Sequence, residues 1–206
     1  MAPQRGLMPQ SVSKKFEEYR VNIPGAVESI YQPLYDYQTL LAAGAATQTF
    51  FQEPIGQSGK TVADTNMDLA GQLPKGQAFA VTGVQVELLP GVGVDNATIT
   101  DFTDDIYSVL KDGALEFTIG SKKYVTQGNL MKFPPVNRLS GFAGTGLAAQ
   151  TISYAQSAGR EFAIIDLLLE SSQNFNVKLL ELAALPSGQD ARIGVTLNGY
   201  LFRNAQ

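Results

Sequence analysis

From Ala45 onward the chain is a succession of short apolar runs separated by Gly, Pro, Asn and Asp, and this punctuation restricts the fold more than any other feature. Residues 78–88 (AFAVTGVQVEL) alternate most clearly. Phe79 and Val81 share one parity, whereas Val84, Val86 and Leu88 share the other, so the apolar face changes sides near Gly83 and a bulge or bend is predicted there. Residues 115–119 and 123–126 flank Gly120-Ser121, a two-residue turn suited to a hairpin. Further strands are predicted at residues 47–52, 97–102, 151–155, 162–169, 175–182 and 193–202, while Pro134-Pro135 ends a segment and residues 141–146 read as a small-residue loop. One helix stands out inside this body. Residues 103–111 offer Thr103 as N-cap, Asp104 and Asp105 at the positive end of the dipole, an apolar stripe of Ile106, Val109 and Leu110, and Gly113 beyond the end.

Eight or nine strands in about 160 residues, joined by long and loop-rich connections, predict an all-β fold: a single jelly-roll β-sandwich of about eight strands with one or two short helices. With a single convincing internal helix, an alternating α/β architecture is excluded. Residues 1–33 differ from the remainder. Prolines at 3, 9, 24 and 33 bracket one helical segment that starts at Ser11 or Ser13 and ends at Arg20, with Phe16 and Tyr19 three apart. The organisation predicted is therefore an N-terminal arm over residues 1–33 and a sandwich domain over residues 34–206.

The chain of 206 residues contains no His and no Cys. No imidazole base, thiolate nucleophile, disulfide or ordinary zinc site can be built from it. A net charge of −4 argues against wholesale coating of nucleic acid. Charged residues make up only 17% of the chain, which is low for a soluble domain and fits a surface covered by partners. The first ten residues, MAPQRGLMPQ, lack the apolar core of a secretory signal, and no stretch has the length of a membrane-spanning helix, so a soluble, intracellularly made chain is expected.

Few motifs carry chemistry. Gly56-Gln57-Ser58-Gly59-Lys60-Thr61 looks like the end of a phosphate-binding loop, with Gly59, Lys60 and Thr61 as the anion-binding candidates. A complete loop needs Gly where Pro54 stands, and residues 62–66 do not open a helix, so a polar loop is the plainer reading. Asp95, Asp101, Asp104 and Asp105 cluster without the spacing of a known calcium loop; the helix start already explains Asp104 and Asp105, and a solvated acidic edge is the plainer reading. Lys122, Lys123 and Arg138, near Tyr124 and Phe133, place bases beside aromatics in the manner of a single-strand nucleic-acid contact. A solvated hairpin edge whose lysines protect against aggregation is the plainer reading of the same residues. No catalytic set, metal site or cofactor is implied, and a non-enzymatic role is expected.

Residues 50–73 (FFQEPIGQSGKTVADTNMDLAGQL), 115–124 (LEFTIGSKKY) and 192–203 (RIGVTLNGYLFR) carry a resemblance to the jelly-roll coat proteins of icosahedral bacteriophages, spanning the body from about residue 45 to the end. The length suits a single jelly roll rather than a double one. The resemblance implies a structural virion protein that assembles into capsomers and an icosahedral shell around the genome, made in the host cytoplasm and located in the virion. Its partners would be copies of itself, minor capsid proteins and, weakly through the arm, the packaged genome. Phe16, Tyr19, Tyr31, Tyr35 and Tyr37 are the candidate anchors of the arm at a subunit interface; packing of those side chains within their own chain is the alternative. Two other functions remain open: a β-sandwich ligand-binding module of tail-fibre or carbohydrate-binding type, which the absence of Trp disfavours, and a phosphate- or nucleotide-binding protein acting through residues 56–61.

Overall fold

The computed structural model describes residues 27–91, 99–135, 137–146, 149–158, 161–171 and 173–204. The protein is mostly β. One sheet contains β1 (Val27–Tyr31), β11 (Ala191–Asn204), β4 (Gln77–Leu89) and β9 (Phe162–Glu170) in that order, with β2 (Leu34–Leu40) also paired to β11. The second sheet runs β3 (Ala45–Phe50), β10 (Phe175–Leu182), β5 (Ala114–Ile119) and β6 (Lys122–Gly128). A separate ribbon pairs β7 (Asn137–Gly146) with β8 (Ala149–Ala158).

The pairings in the two main sheets are nested. β2 pairs with β11, β3 with β10, β4 with β9 and β5 with β6, all antiparallel, so the first strand meets the last and each inner pair repeats the rule. Pairing of β11 with β4 and of β10 with β5 then closes the nest into two sheets. β1 and β2 lie end to end along β11, Tyr31 opposite Tyr200 and Leu34 opposite Leu197. Pro33 falls at the break between them, where its missing amide hydrogen costs no ladder bond.

Alternation decides which side chains the sheets share. Phe79, Val81, Val84, Val86 and Leu88 of β4 and Ile193, Val195 and Leu197 of β11 join Phe50, Leu115, Phe117, Val177 and Leu179 of the second sheet in one apolar cluster. Each such side chain contributes about 1.5–3 kcal/mol when fully buried. The change of parity predicted near Gly83 is present: the register with β9 shifts between Val81 and Gly83, and Thr82 is the extra residue relative to β11. The hairpin predicted around Gly120 also forms, with Gly120 at φ 58, the left-handed conformation the turn requires.

Two expectations change. The helix, α1, spans Ile99–Asp112 and so starts before Thr103, taking up residues 99–102 of the strand predicted at 97–102, whose first two residues lie outside the described ones. Ile99 and Phe102 extend the helical spacing of Ile106, Val109 and Leu110, and that longer period outweighs the local β-branched residues. Its end is as predicted, because the Gly113 amide donates to the Val109 carbonyl at 3.1 Å. Residues 141–146 form part of β7 rather than a loop, since the ten-residue β8 alongside supplies their backbone partners. The last stretch of the span assigned to the arm is a strand, β1, and the helix predicted between Ser11 and Arg20 lies outside the described residues. Among the described residues no helix is long and apolar enough to cross a membrane.

Candidate functional site

Residues 51–76 connect β3 to β4 by running back across β2. On β2, Leu34, Asp36 and Leu40 share the buried parity, so a carboxylate stands in a row otherwise reserved for apolar side chains. The opposite edge of this strand, the one not used by β11, is taken by the loop. The Tyr37 amide donates to the Asp64 carbonyl at 2.7 Å, and the Asn66 amide to the Tyr35 carbonyl at 3.4 Å. The Asn66 side chain closes the arrangement by accepting from the Tyr35 amide at 3.0 Å and donating to the Pro33 carbonyl at 2.8 Å. Buried Thr65 donates its hydroxyl to the Tyr35 carbonyl at 3.1 Å. An edge that would otherwise be free to pair with another chain is thereby covered.

Asp36 is the pin of this arrangement. It is 0% exposed, and its Oδ2 accepts the Phe51 amide at 2.6 Å while its Oδ1 meets the Lys60 ammonium. Phe51 has φ 67, a conformation that costs energy for a residue with a side chain; the bond to Asp36 and the burial of its ring against Phe175, 5.5 Å away, hold it there. The Lys60 side chain is 8% exposed, and its ammonium is also 3.9 Å from Glu53 Oε2. Burial pushes the Asp36 carboxyl above its ordinary value, and the bonds from Lys60, Phe51 and Gln38 only partly oppose that.

Beside this pin lies a cleft of about 480 Å³ lined by Tyr37, Gln38, Glu53, Lys60, Asp64 and Arg192, among others. Its walls are charged but internally satisfied. The Arg192 guanidinium donates to Asp64 at 2.9 Å and to the Ala63 carbonyl, and lies 4.6 Å from the centre of the Tyr37 ring. The Tyr37 hydroxyl donates to Glu87 at 2.9 Å; burial first and the Glu87 charge second push its pKa up to about 12. Tyr37 lies over Gly194, its partner on β11, where an added Cβ would come within 2.2 Å of the ring. Asp64 is held below the usual carboxylate range, chiefly by the amide and hydroxyl of Thr61, both donating at 2.9 Å.

The residues singled out from sequence separate into different places. Lys60 faces Asp36, Thr61 is bound to Asp64, and Gly59 sits at φ 78 in a short 3-10 turn. The amides of Gly56, Gln57, Lys60 and Thr61 all donate within residues 54–64, so the loop spends on itself the groups a phosphate would use. The Tyr35 hydroxyl donates to the Val62 carbonyl of the loop and the Tyr37 hydroxyl to Glu87 on β4, whereas Tyr31 is 60% exposed on β1 beside Tyr200. Phe16 and Tyr19 lie outside the described residues. Lys122 and Lys123 are exposed on β6, with Lys123 paired to Glu116 at 2.6 Å, and Arg138 occupies β7 opposite Ser157, so the three do not form one patch on a single sheet. Of the acidic cluster, Asp95 lies outside the described residues, Asp104 is exposed, and Asp105 is buried and accepts the Ser187 amide at 2.8 Å. Asp36, Glu53, Asn66 and Arg192 were not anticipated as a set, although an Asp on the apolar parity of a strand is a sign that a cation must face it.

Comparison of the chain with protein-family models, with curated proteins and with solved structures gives no match.

Proposed function

We propose that this chain is a self-assembling structural subunit with a single jelly-roll body, acting as the coat protein of an icosahedral virus rather than as an enzyme. The observation that carries the reading is the nested pairing of β2 with β11, β3 with β10, β4 with β9 and β5 with β6. A ribbon of eight strands rolled up in that way has the strand order of a jelly roll, the architecture of many viral coat domains as well as of lectins and cupins. On this scheme α1 and the β7–β8 ribbon are insertions, and β1 extends the sheet toward the arm.

Function is chosen among jelly rolls by the surface, not by the fold. Tyr31, Leu41, Val62, Tyr107 and Tyr124 are each more than half exposed, a supply of apolar contact area on several sides of the body. Residues 1–26 precede β1 and provide the segment for a clasp onto a neighbouring copy. The shell, its place in the virion and its assembly in the host cytoplasm belong to the same proposal.

Size-exclusion chromatography with light scattering, followed by negative-stain imaging, tests it on the full chain and on a chain starting at Val27. The full chain is expected to give rings or shells with masses that are multiples of 22.1 kDa, and the shortened chain smaller species. A monodisperse 22.1 kDa monomer, unchanged by truncation at high concentration, would overturn assembly and favour a ligand-binding module using the cleft beside Tyr37.

A further inference from the structure

Lys60, Asp36 and Glu53 bring together an amine, a carboxyl group and a second carboxyl group at the base of the loop. The first two are in contact and almost wholly removed from water, with side-chain exposures of 8% and 0%. Glu53, at 40% exposure, is 3.9 Å from the Lys60 nitrogen, within reach through a small rotation or one bridging water. The Phe51 amide donates to Asp36 Oδ2, the oxygen turned away from Lys60.

We propose that Lys60 and Asp36 condense into an intramolecular amide between Nζ and Cγ, with Glu53 as the proton-transfer group, fastening the loop covalently to β2. In water the pair would remain ammonium and carboxylate. Burial raises the affinity of Asp36 for a proton and so favours proton transfer within the contact. Held contact replaces a bimolecular encounter, an advantage corresponding to effective concentrations of about 10⁵–10⁸ M in well-oriented reactions.

The ammonium passes one proton to Asp36 Oδ1, leaving an amine and a carboxylic acid. Nζ then attacks Cγ, and the negative charge that develops on Oδ2 is met by the Phe51 amide. Glu53 takes a second proton from Nζ and returns it to the Oδ1 hydroxyl; the Cγ–Oδ1 bond breaks and water leaves. The third nitrogen proton stays on the amide, and Oδ2 becomes its carbonyl oxygen, still accepting from Phe51. No oxidant, metal or external reagent enters. The bond would span the 24 positions between Asp36 and Lys60 and is independent of whether copies of the chain assemble.

Intact-mass measurement of the purified full chain under denaturing conditions, followed by proteolytic mapping, tests the proposal. The wild-type chain is expected to be lighter than its sequence mass by one water, with a branched peptide joining the Asp36 and Lys60 segments, while Glu53→Gln and Lys60→Arg have their full sequence masses. A wild-type chain at full sequence mass would overturn the proposal, as would a lost water that maps elsewhere, for example to a succinimide at Asp112-Gly113. A Glu53→Gln chain that still contains the branched peptide would overturn the role given to Glu53. The wild-type result decides the cross-link by itself, whether or not either variant folds.

Discussion

Two long connections leave the sheets of this protein and are treated in opposite ways. Residues 51–76, between β3 and β4, are drawn across β2 and fixed by a buried carboxylate, a buried threonine and an asparagine that bridges two backbone groups. The connection between β6 and β9 carries β7 and β8, which among the described residues pair only with one another. Both sequences are rich in small and turn-forming residues. The difference lies in what each adds to bonds within itself: the loop also exchanges backbone bonds with β2 and β10, whereas the strands of the ribbon pair with each other. A region wired into the core shares the stability of the core, whereas a self-paired ribbon can be changed with little consequence for the sheets.

The largest expected effect comes from removing the pin. Asp36→Ala leaves the buried Lys60 and the strained Phe51 without their common acceptor, and a loss of about 3–5 kcal/mol is expected in urea unfolding. Next, Asn66→Ala removes partners from the Tyr35 amide and the Pro33 carbonyl, with an expected loss of about 1–3 kcal/mol by the same measurement. The ribbon supplies the contrast. Replacing residues 137–158 by a short Gly/Ser linker is expected to change the unfolding free energy by no more than about 1 kcal/mol, and a loss as large as that of Asp36→Ala would erase the distinction between the two connections.

The smallest effect is one of pH. The folded state holds the Asp64 and Glu116 carboxyls below their ordinary values, so each contributes stability that is present above the ordinary carboxylate range and is lost as pH falls through the lowered value. Thermal melts should therefore fall off below about pH 4, and Asp64→Asn should flatten that decline, whereas an unchanged acid limb in the variant would remove Asp64 from the account of the loop.

Much of the sheet framework was legible because alternation reports burial directly. The parity change at Gly83 located a bulge, and Gly120-Ser121 located a hairpin. The start of α1 is hidden in the sequence because Ile99 and Thr100 are β-branched and Thr103 reads as an N-cap, which masks a helical period that continues through them. The ribbon strand β7 was missed because Gly141, Gly144 and Gly146 have no side-chain pattern to read, although their backbones pair as well as any others. The loop at residues 56–61 reads as a polar loop from sequence, and its attachment to the body does not. Lys60 was visible, but its partner Asp36 lies 24 positions earlier on a strand, and only the fold brings the two together.

Hydrogen exchange read by mass spectrometry compares the two connections most directly. The amides of Phe51, Thr61 and Thr65 in the loop, with that of Tyr37 beneath it, are expected to be protected to nearly the same degree as those of β4 and β11, and residues 137–158 to exchange well before them. A loop that exchanges as fast as the ribbon would contradict the view that buried Asp36 makes residues 51–76 part of the core.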